Sequence, residues 1–284
     1  MANVIHTATA HGRGHTLNLL WAFIERQINL YKSYWGWEVV WLIYGVVNTL
    51  AITFIAEHVG LQGFGDKEAV SRLVLFLLIG TLVWAYLSAV LDDLTLVVAW
   101  ERWEGTIEHT LMAPVPRAVH LLGISLFGLI HAVIRTALIF GMAVPFFEVN
   151  IAGADWLAAA AVLAVGSISV AGFAILAGVL PLIYPERGPQ MSFMVQAVVL
   201  LVSGVYYEVQ VLPGWLQVVS TASPATYMID GMRNAILSGR SLLEMQSTLW
   251  ILLGFGAGLV PASVAVFGVA ERWAKKTGRL KRHG

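Results

Sequence analysis

The sequence predicts an all-α polytopic membrane protein. Six transmembrane helices follow an N-terminal amphipathic interfacial helix, and an external re-entrant helical hairpin interrupts them between spans five and six. Three observations lead there. Of the 284 residues, 58% are hydrophobic and 12% charged, with a mean hydropathy of +0.76. Soluble domains carry roughly 45–50% apolar and about 25% charged residues. The apolar residues gather in six segments, all but one near or above the about 20 residues that cross a bilayer. Lys and Arg are unevenly divided between the alternating connections, as topology requires.

The elements follow in order. Residues 1–16 are polar and rich in His, Gly and Thr, with no short apolar core before a small-residue cleavage site, so a disordered cytoplasmic tail is expected. Its histidines, His6, His11 and His15, read as polar residues rather than metal ligands. Over 17–36, Leu17, Leu20, Trp21, Ile24, Ile28, Tyr31 and Trp35 keep helical spacing opposite Glu25, Arg26, Asn29 and Lys32. That helix is too polar to span and is expected to lie in the interface. A six-span domain over 37–270 comes next, its apolar segments roughly 37–56, 73–91, 119–147, 156–183, 191–205 and 249–270. The fifth is short, which predicts an ending or break near mid-interface. With the N-terminus inside, twelve Lys and Arg fall on the cytoplasmic side and four outside, with Arg135 within a span. The basic tail 271–284 then fixes the C-terminus inside. No cysteine is present, which excludes disulfides and thiolate metal sites.

Two connections are more than loops. Residues 100–113 predict a short cytoplasmic helix with Trp100, Trp103, Ile107 and Leu111 on one face and Glu101, Glu104 and Glu108 along a water-facing edge, stopped by Pro114 and Pro116. Such a helix is either a docking surface or an ordinary interfacial helix; spacing leaves both open. Residues 206–240 hold two short apolar helices, one opened by Pro213 and Gly214, the next begun after Pro224 and ended at Gly239. Backbone broken at that depth has to be covered by protein or line a wet cavity, so Trp215–Val219 is expected to tuck back between spans five and six.

Residues Glu104–Pro116, EGTIEHTLMAPVP, resemble the pattern E-G-T-x-E-x-L-x-x-[AST]-P-x of the first cytoplasmic loop of type-2 permeases of ATP-binding-cassette (ABC) exporters, the drug, lipid and polysaccharide export group. Residues Ser203–Gly239 resemble the same family's late signature: S-G-x-x-[FY], L-P-x-W, a Ser-Pro-x-x-Y and an Arg, in that order. One departure is that His109 and Thr110 precede Leu111, one residue later than the pattern. The resemblance implies that Glu101, Arg102, Glu104, Gly105, Thr106, Glu108, Leu111 and Pro114 dock an ATPase. It implies two copies of that ABC ATPase subunit, which bind ATP and Mg, and a second permease copy in a homodimer. It also implies a prokaryotic inner membrane with lipids around the chain, no nucleic acid, and a hydrophobic, lipid-like or glycan cargo moved outward. The hairpin would cap the path. No phosphate loop of the form G-x-x-x-x-G-K-[ST] occurs, so ATP is expected on the partner alone and no cofactor on this chain.

Charges within a span are costly and mark sites. His131 and Arg135 share a face of span three, where Arg135 either bonds a carbonyl of the helix pack or meets an anionic cargo group. Tyr206, Tyr207, Trp215 and Tyr227 are placed at the outer gate. Asp92 and Asp93, at the end of span two, read as solvated interfacial groups. Two rivals remain at this stage. One is a membrane-embedded lipid-modifying enzyme using Asp92, Asp93 and the Glu row; the other is an ATP-independent transporter subunit, for which the sequence offers no internal repeat.

Overall fold

The computed structural model describes residues 13–63, 66–113, 115–147, 151–184 and 186–278. The tail 1–12, Pro114 and the basic residues 279–284 lie outside the described residues. Among those described, the secondary structure is helical: α1 (Arg13–Ser33), α2 (Trp35–Gly63), α3 (Lys67–Glu104), α4 (Ile107–Met112), α5 (Arg117–Ala143), α6 (Trp156–Ile183), α7 (Gly188–Val202), α8 (Gly214–Thr221), α9 (Pro224–Ile236) and α10 (Gln246–Lys276).

Five helices, α2, α3, α5, α6 and α10, are long and apolar enough to cross a bilayer. The segment expected as span five forms α7, only 15 residues long, or roughly 22 Å at 1.5 Å per residue. It begins at Gly188, where a Cβ would come within 2.3 Å of Pro181 Cα. It ends before Gly204, whose φ of 68° turns the chain.

Helix α3 is the axis of the bundle. It has 38 residues, and Asp66 caps its start by accepting a bond from the Glu68 N–H at 3.2 Å. At about 57 Å it outruns a hydrocarbon core of about 30 Å. Expected span two and the start of the expected helix 100–113 are therefore one continuous helix, with no break at Asp92–Asp93. It packs on α2, α5, α6, α7 and α9, and Leu78, Tyr86, Leu87, Leu91 and Leu94 are buried along it. Tyr86 shares a 2.6 Å hydroxyl bond with Ser167 of α6.

Helix α6 pairs most extensively with α10. Small residues let the two backbones close up. A Cβ on Gly172 would lie 2.9 Å from the Leu259–Val260 backbone, and one on Gly256 would lie 2.9 Å from Ile168. Ser169 Oγ donates to the Leu252 carbonyl at 2.6 Å. Close approach plus interhelical hydrogen bonding is how helices associate where lipid offers no hydrophobic gain. Helix α1 lies along α5, with the Phe23 and His120 rings 4.9 Å apart and Gly123 leaving room for Phe23. Its buried residues are Ile24 and Gln27, whereas Leu17 and Trp21 stay exposed, as an interfacial helix with one lipid face requires.

The hairpin differs from expectation. Helix α9 is embedded against α3, α6 and α10, with Met228, Ile229 and Ala235 fully buried. Helix α8 rests on α7 and α9 and does not enter the space between α7 and α10. Trp215 is 69% exposed and Val218 70%. Only the second helix is tucked in, because Pro213 and Ser223 flank an α8 too short to bury both faces.

Candidate functional site

At the end of the bundle that carries α1, the continuous helix α3 stops at Gly105. This glycine sits at φ 76°, and its N–H caps the Arg102 carbonyl. The chain then enters α4, so the helix expected over 100–113 is two helices with a left-handed joint between them. The joint changes the phase of the side chains. Ile107 and Leu111 are 2% exposed and anchor α4 to the core. Glu101 is buried, and the Arg26 guanidinium of α1 donates to it at 2.5 Å. Arg102 is buried as well. Trp103 and Glu104 remain exposed and Glu108 half-buried. Glu101, Glu104 and Glu108 thus do not form one water-facing edge, and Glu101 is a structural ion-pair partner of α1. Thr106 stands at the N-terminus of α4 without a side-chain cap bond.

The far end of α4 is held from two directions. Arg117 donates to the carbonyls of Thr110, at 3.2 Å, and Leu111. Lys275 of α10 donates to the same Leu111 carbonyl at 3.1 Å. Unpaired carbonyls and negative dipole density at a helix C-terminus attract cations. Glu271, 5% exposed, balances both: its carboxylate lies 2.8 Å from Arg117 Nε and 2.6 Å from Lys275 Nζ. One buried carboxylate and two cations therefore join α4, α5 and α10.

Further into the bundle, side chains of five helices form a second cluster. Tyr31 of α1 donates to Asp93 at 2.5 Å; burial first, and then Asp93 beside it, push the phenol up, so it keeps its proton. His131 of α5 meets Asp93 at 2.9 Å through Nδ1 and Glu38 of α2 at 3.0 Å through Nε2. For both ring nitrogens to donate to carboxylates, the ring is an imidazolium. Gln196 of α7 donates to Asp92 at 2.6 Å, and Arg135 donates to the Trp41 carbonyl at 3.2 Å. Asp92, Arg135, Trp37, Trp41, Trp100 and Phe193 border a cavity of about 260 Å³ beside this cluster. The expected pair His131 and Arg135 does come together here, but His131 is taken by two carboxylates. Asp93 is buried rather than solvated.

The aromatic residues expected at the gate lie away from this polar cluster. Tyr206 packs beside Asn48 and Tyr44, seven residues or roughly 10 Å along α2 from Trp41. Tyr207 donates to the Leu201 carbonyl at 2.5 Å and Tyr227 to that of Thr221 at 3.1 Å. Arg233 of α9 anchors this end. It donates to the carbonyls of Gly204 at 2.7 Å and Val205 at 2.6 Å, with its guanidinium 3.5 Å above the Phe76 ring.

The family model described as ABC-2 type transporter matches residues 18–237, a range that contains the α3–α4 joint, the polar cluster and the hairpin. The chain belongs to the ABC-2 type transporter family. Two curated relatives, each described as a probable multidrug ABC transporter permease YbhR, come from Escherichia coli K12 and Escherichia coli O157:H7. Each is 26% identical over 174 residues, which cover 61% of this chain and 46% of the relative. The chain thus spans about half the length of the curated relatives it matches. As an ABC-2 family member it is a multi-pass membrane transport protein rather than a lipid-modifying enzyme.

Sequence reasoning missed Tyr31, Glu38, Gln196, Glu271 and the anchoring role of Arg233. Glu38 carries one usable signal, as a lone acid at the start of an apolar helix. Glu271 also has a local signal, Lys275 four residues on; the others take their roles from residues distant in sequence, which local periodicity does not register.

Proposed function

We propose that this ABC-2 chain is the transmembrane subunit of an exporter, assembled as a pair of permease copies with two ABC ATPase subunits. The pair lies in the inner membrane of a prokaryote, N- and C-termini inside, among membrane lipids. ATP and Mg belong to the ATPases. The cargo is hydrophobic, and it leaves outward through a path beside α2, α3 and α7. The observation that carries this reading is the construction of α4. Its apolar side is anchored by Ile107 and Leu111 while Trp103, Glu104 and Glu108 remain at the surface. Its C-terminus is braced to α5 and α10 through Arg117, Glu271 and Lys275. A push on that surface reaches the spans directly. A ligand, here ATP on the partner, moves a two-state protein only by binding its states unequally, and α4 is where that difference enters. Glu104 and Glu108 are the acids a partner can reach; Glu101 is held by Arg26.

The test replaces Glu104 and Glu108 with Ala in the full chain. The ATPase subunit is expected to be lost from the co-purified complex, or to hydrolyse ATP without transport, while membrane insertion and melting temperature hold. Normal transport per ATP in this double variant would remove the docking role.

A further inference from the structure

We propose that the cavity between α2, α3 and α7 binds a lipophilic organic cation, with Asp92 as its counter-ion and the indoles of Trp37, Trp41 and Trp100 as its walls. This rests on the transport reading above and names a cargo class for it. The argument begins with charge. Glu38, Asp92 and Asp93 supply three carboxylates; His131 and Arg135 supply two cations. The imidazolium is used between Asp93 and Glu38. Arg135 donates to the Trp41 carbonyl and makes no ion pair among the described residues. Asp92 accepts one hydrogen bond, from Gln196, and likewise makes no ion pair. The cluster is therefore one negative charge in excess; of its acids, Asp92 borders the cavity with no cation in direct contact, Arg135 acting on it only across the cavity. A carboxylate in such a wall has lost much of its hydration, and an arriving cation restores what it lacks.

The walls select the kind of cation. Trp37, Trp41, Trp100, Tyr34 and Phe193 present aromatic surface to the same cavity. Aromatic faces attract organic cations through the ring quadrupole. Small metal cations need several oxygen ligands at short range, which indoles do not offer. A volume of about 260 Å³ accepts the charged centre of such a ligand and its nearest rings. Arg135 on the rim works against this choice and favours an anion, so the experiment compares the two signs of charge on one shape.

The full chain, assembled with its ATPase subunits in lipid nanodiscs, is titrated with radiolabelled tetraphenylphosphonium and with tetraphenylborate. The phosphonium is expected to bind saturably and at least about tenfold more tightly than the borate. Asp92→Asn is expected to lower phosphonium affinity at least about tenfold, and Asp92→Glu to keep it within about threefold. Trp37→Leu, which leaves the carboxylate in place, is expected to weaken binding about threefold or more and covers the case in which Asp92→Asn does not fold. Equal binding of the two ions, or wild-type phosphonium affinity in Asp92→Asn or Trp37→Leu, overturns the proposal. Saturable phosphonium binding that leaves ATP hydrolysis unchanged would sink the transport reading and keep the site. ATP-driven export of other solutes with no phosphonium binding would sink the site and keep the transport reading.

Discussion

The two ends of the bundle are braced by different chemistry. At the α4 end, side chain pairs with side chain: Arg26 with Glu101, and Glu271 with both Arg117 and Lys275. The cations are reachable by water, with Arg26 42% and Lys275 41% exposed. At the α8–α9 end, one arginine that is 6% exposed grips backbone. Its guanidinium bonds the Gly204 and Val205 carbonyls and covers Phe76, and Gly80 admits this contact because a Cβ there would sit 2.0 Å from the Val205 carbonyl oxygen. The carboxylates at the α4 end are buried, but an ion pair whose cation reaches water opens at less cost than one buried on both sides. A buried fork on backbone carbonyls costs the full desolvation penalty when broken. One end is thus built from contacts that open at less cost and the other from a contact that opens at more. This difference assigns motion to the α4 joint and rigidity to the floor beneath the hairpin.

The largest effect that would break this comparison lies at Arg233. Arg233→Ala leaves two buried carbonyls unpaired and removes the cation over Phe76. Hydrogen bonds to charged groups contribute about 1.5–3 kcal/mol each, so a loss of about 3–5 kcal/mol is expected. At roughly 2–4 °C per kcal/mol, the melting temperature should fall by about 6–20 °C in detergent. Lys in its place restores charge without the two-pronged geometry and should recover only part. A melting temperature within about 2 °C of wild type would show that the α8–α9 end is not pinned by this residue.

At the other end, Glu271→Gln separates stability from coupling. Arg117 and Lys275 keep the carbonyls of Thr110 and Leu111, so α4 stays capped. The expected stability loss is about 1–2 kcal/mol, between that of a surface pair and that of a buried one. Transported cargo per ATP hydrolysed should fall more steeply than folded yield, because α10 is no longer tied to α4 through one acid. Equal falls in both quantities would make Glu271 a packing residue and nothing more.

How much of this was legible follows from the range of each interaction. Helix α6 runs Trp156–Ile183, the same ends as its apolar segment, because Asp155 caps it locally and the apolar run ends at Tyr184, ahead of Glu186 and Arg187. The continuation of α3 through Asp92–Asp93 was not legible. Two adjacent acids end a hydropathy segment, whereas in the fold their partners come from Tyr31, His131 and Gln196, 38 to 104 residues away. The acidic edge failed for a local reason. Spacing puts Glu101, Glu104 and Glu108 on one face only if the helix is unbroken, and Gly105 in the left-handed region resets the phase. That glycine was a readable stop signal, outweighed by the regular carboxylate spacing. The hairpin was half legible: its prolines mark helix starts in both elements, but apolar content did not reveal which of the two helices is buried.

That division inside the hairpin gives the smallest effect and the finest test. Trp215 sits on the same connection between α7 and α10 as Arg233 but is 69% exposed, and its helix packs on α7, α9 and the turn at 209–211. Surface substitutions away from special contacts stay within about 0.5 kcal/mol. Trp215→Ala is therefore expected to shift the melting temperature by no more than about 2 °C, several-fold less than Arg233→Ala, although the side chain removed is larger. The rigid floor then belongs to α9 and its arginine alone, with α8 an overlying segment. Transport per folded protein decides what that segment does. A fall in specific transport with unchanged melting temperature makes Trp215 a gate residue; unchanged transport leaves α8 as a connection. A melting temperature drop comparable to that of Arg233→Ala would mean that α8 is packed in the assembled protein, and would erase the contrast between the two halves of the hairpin.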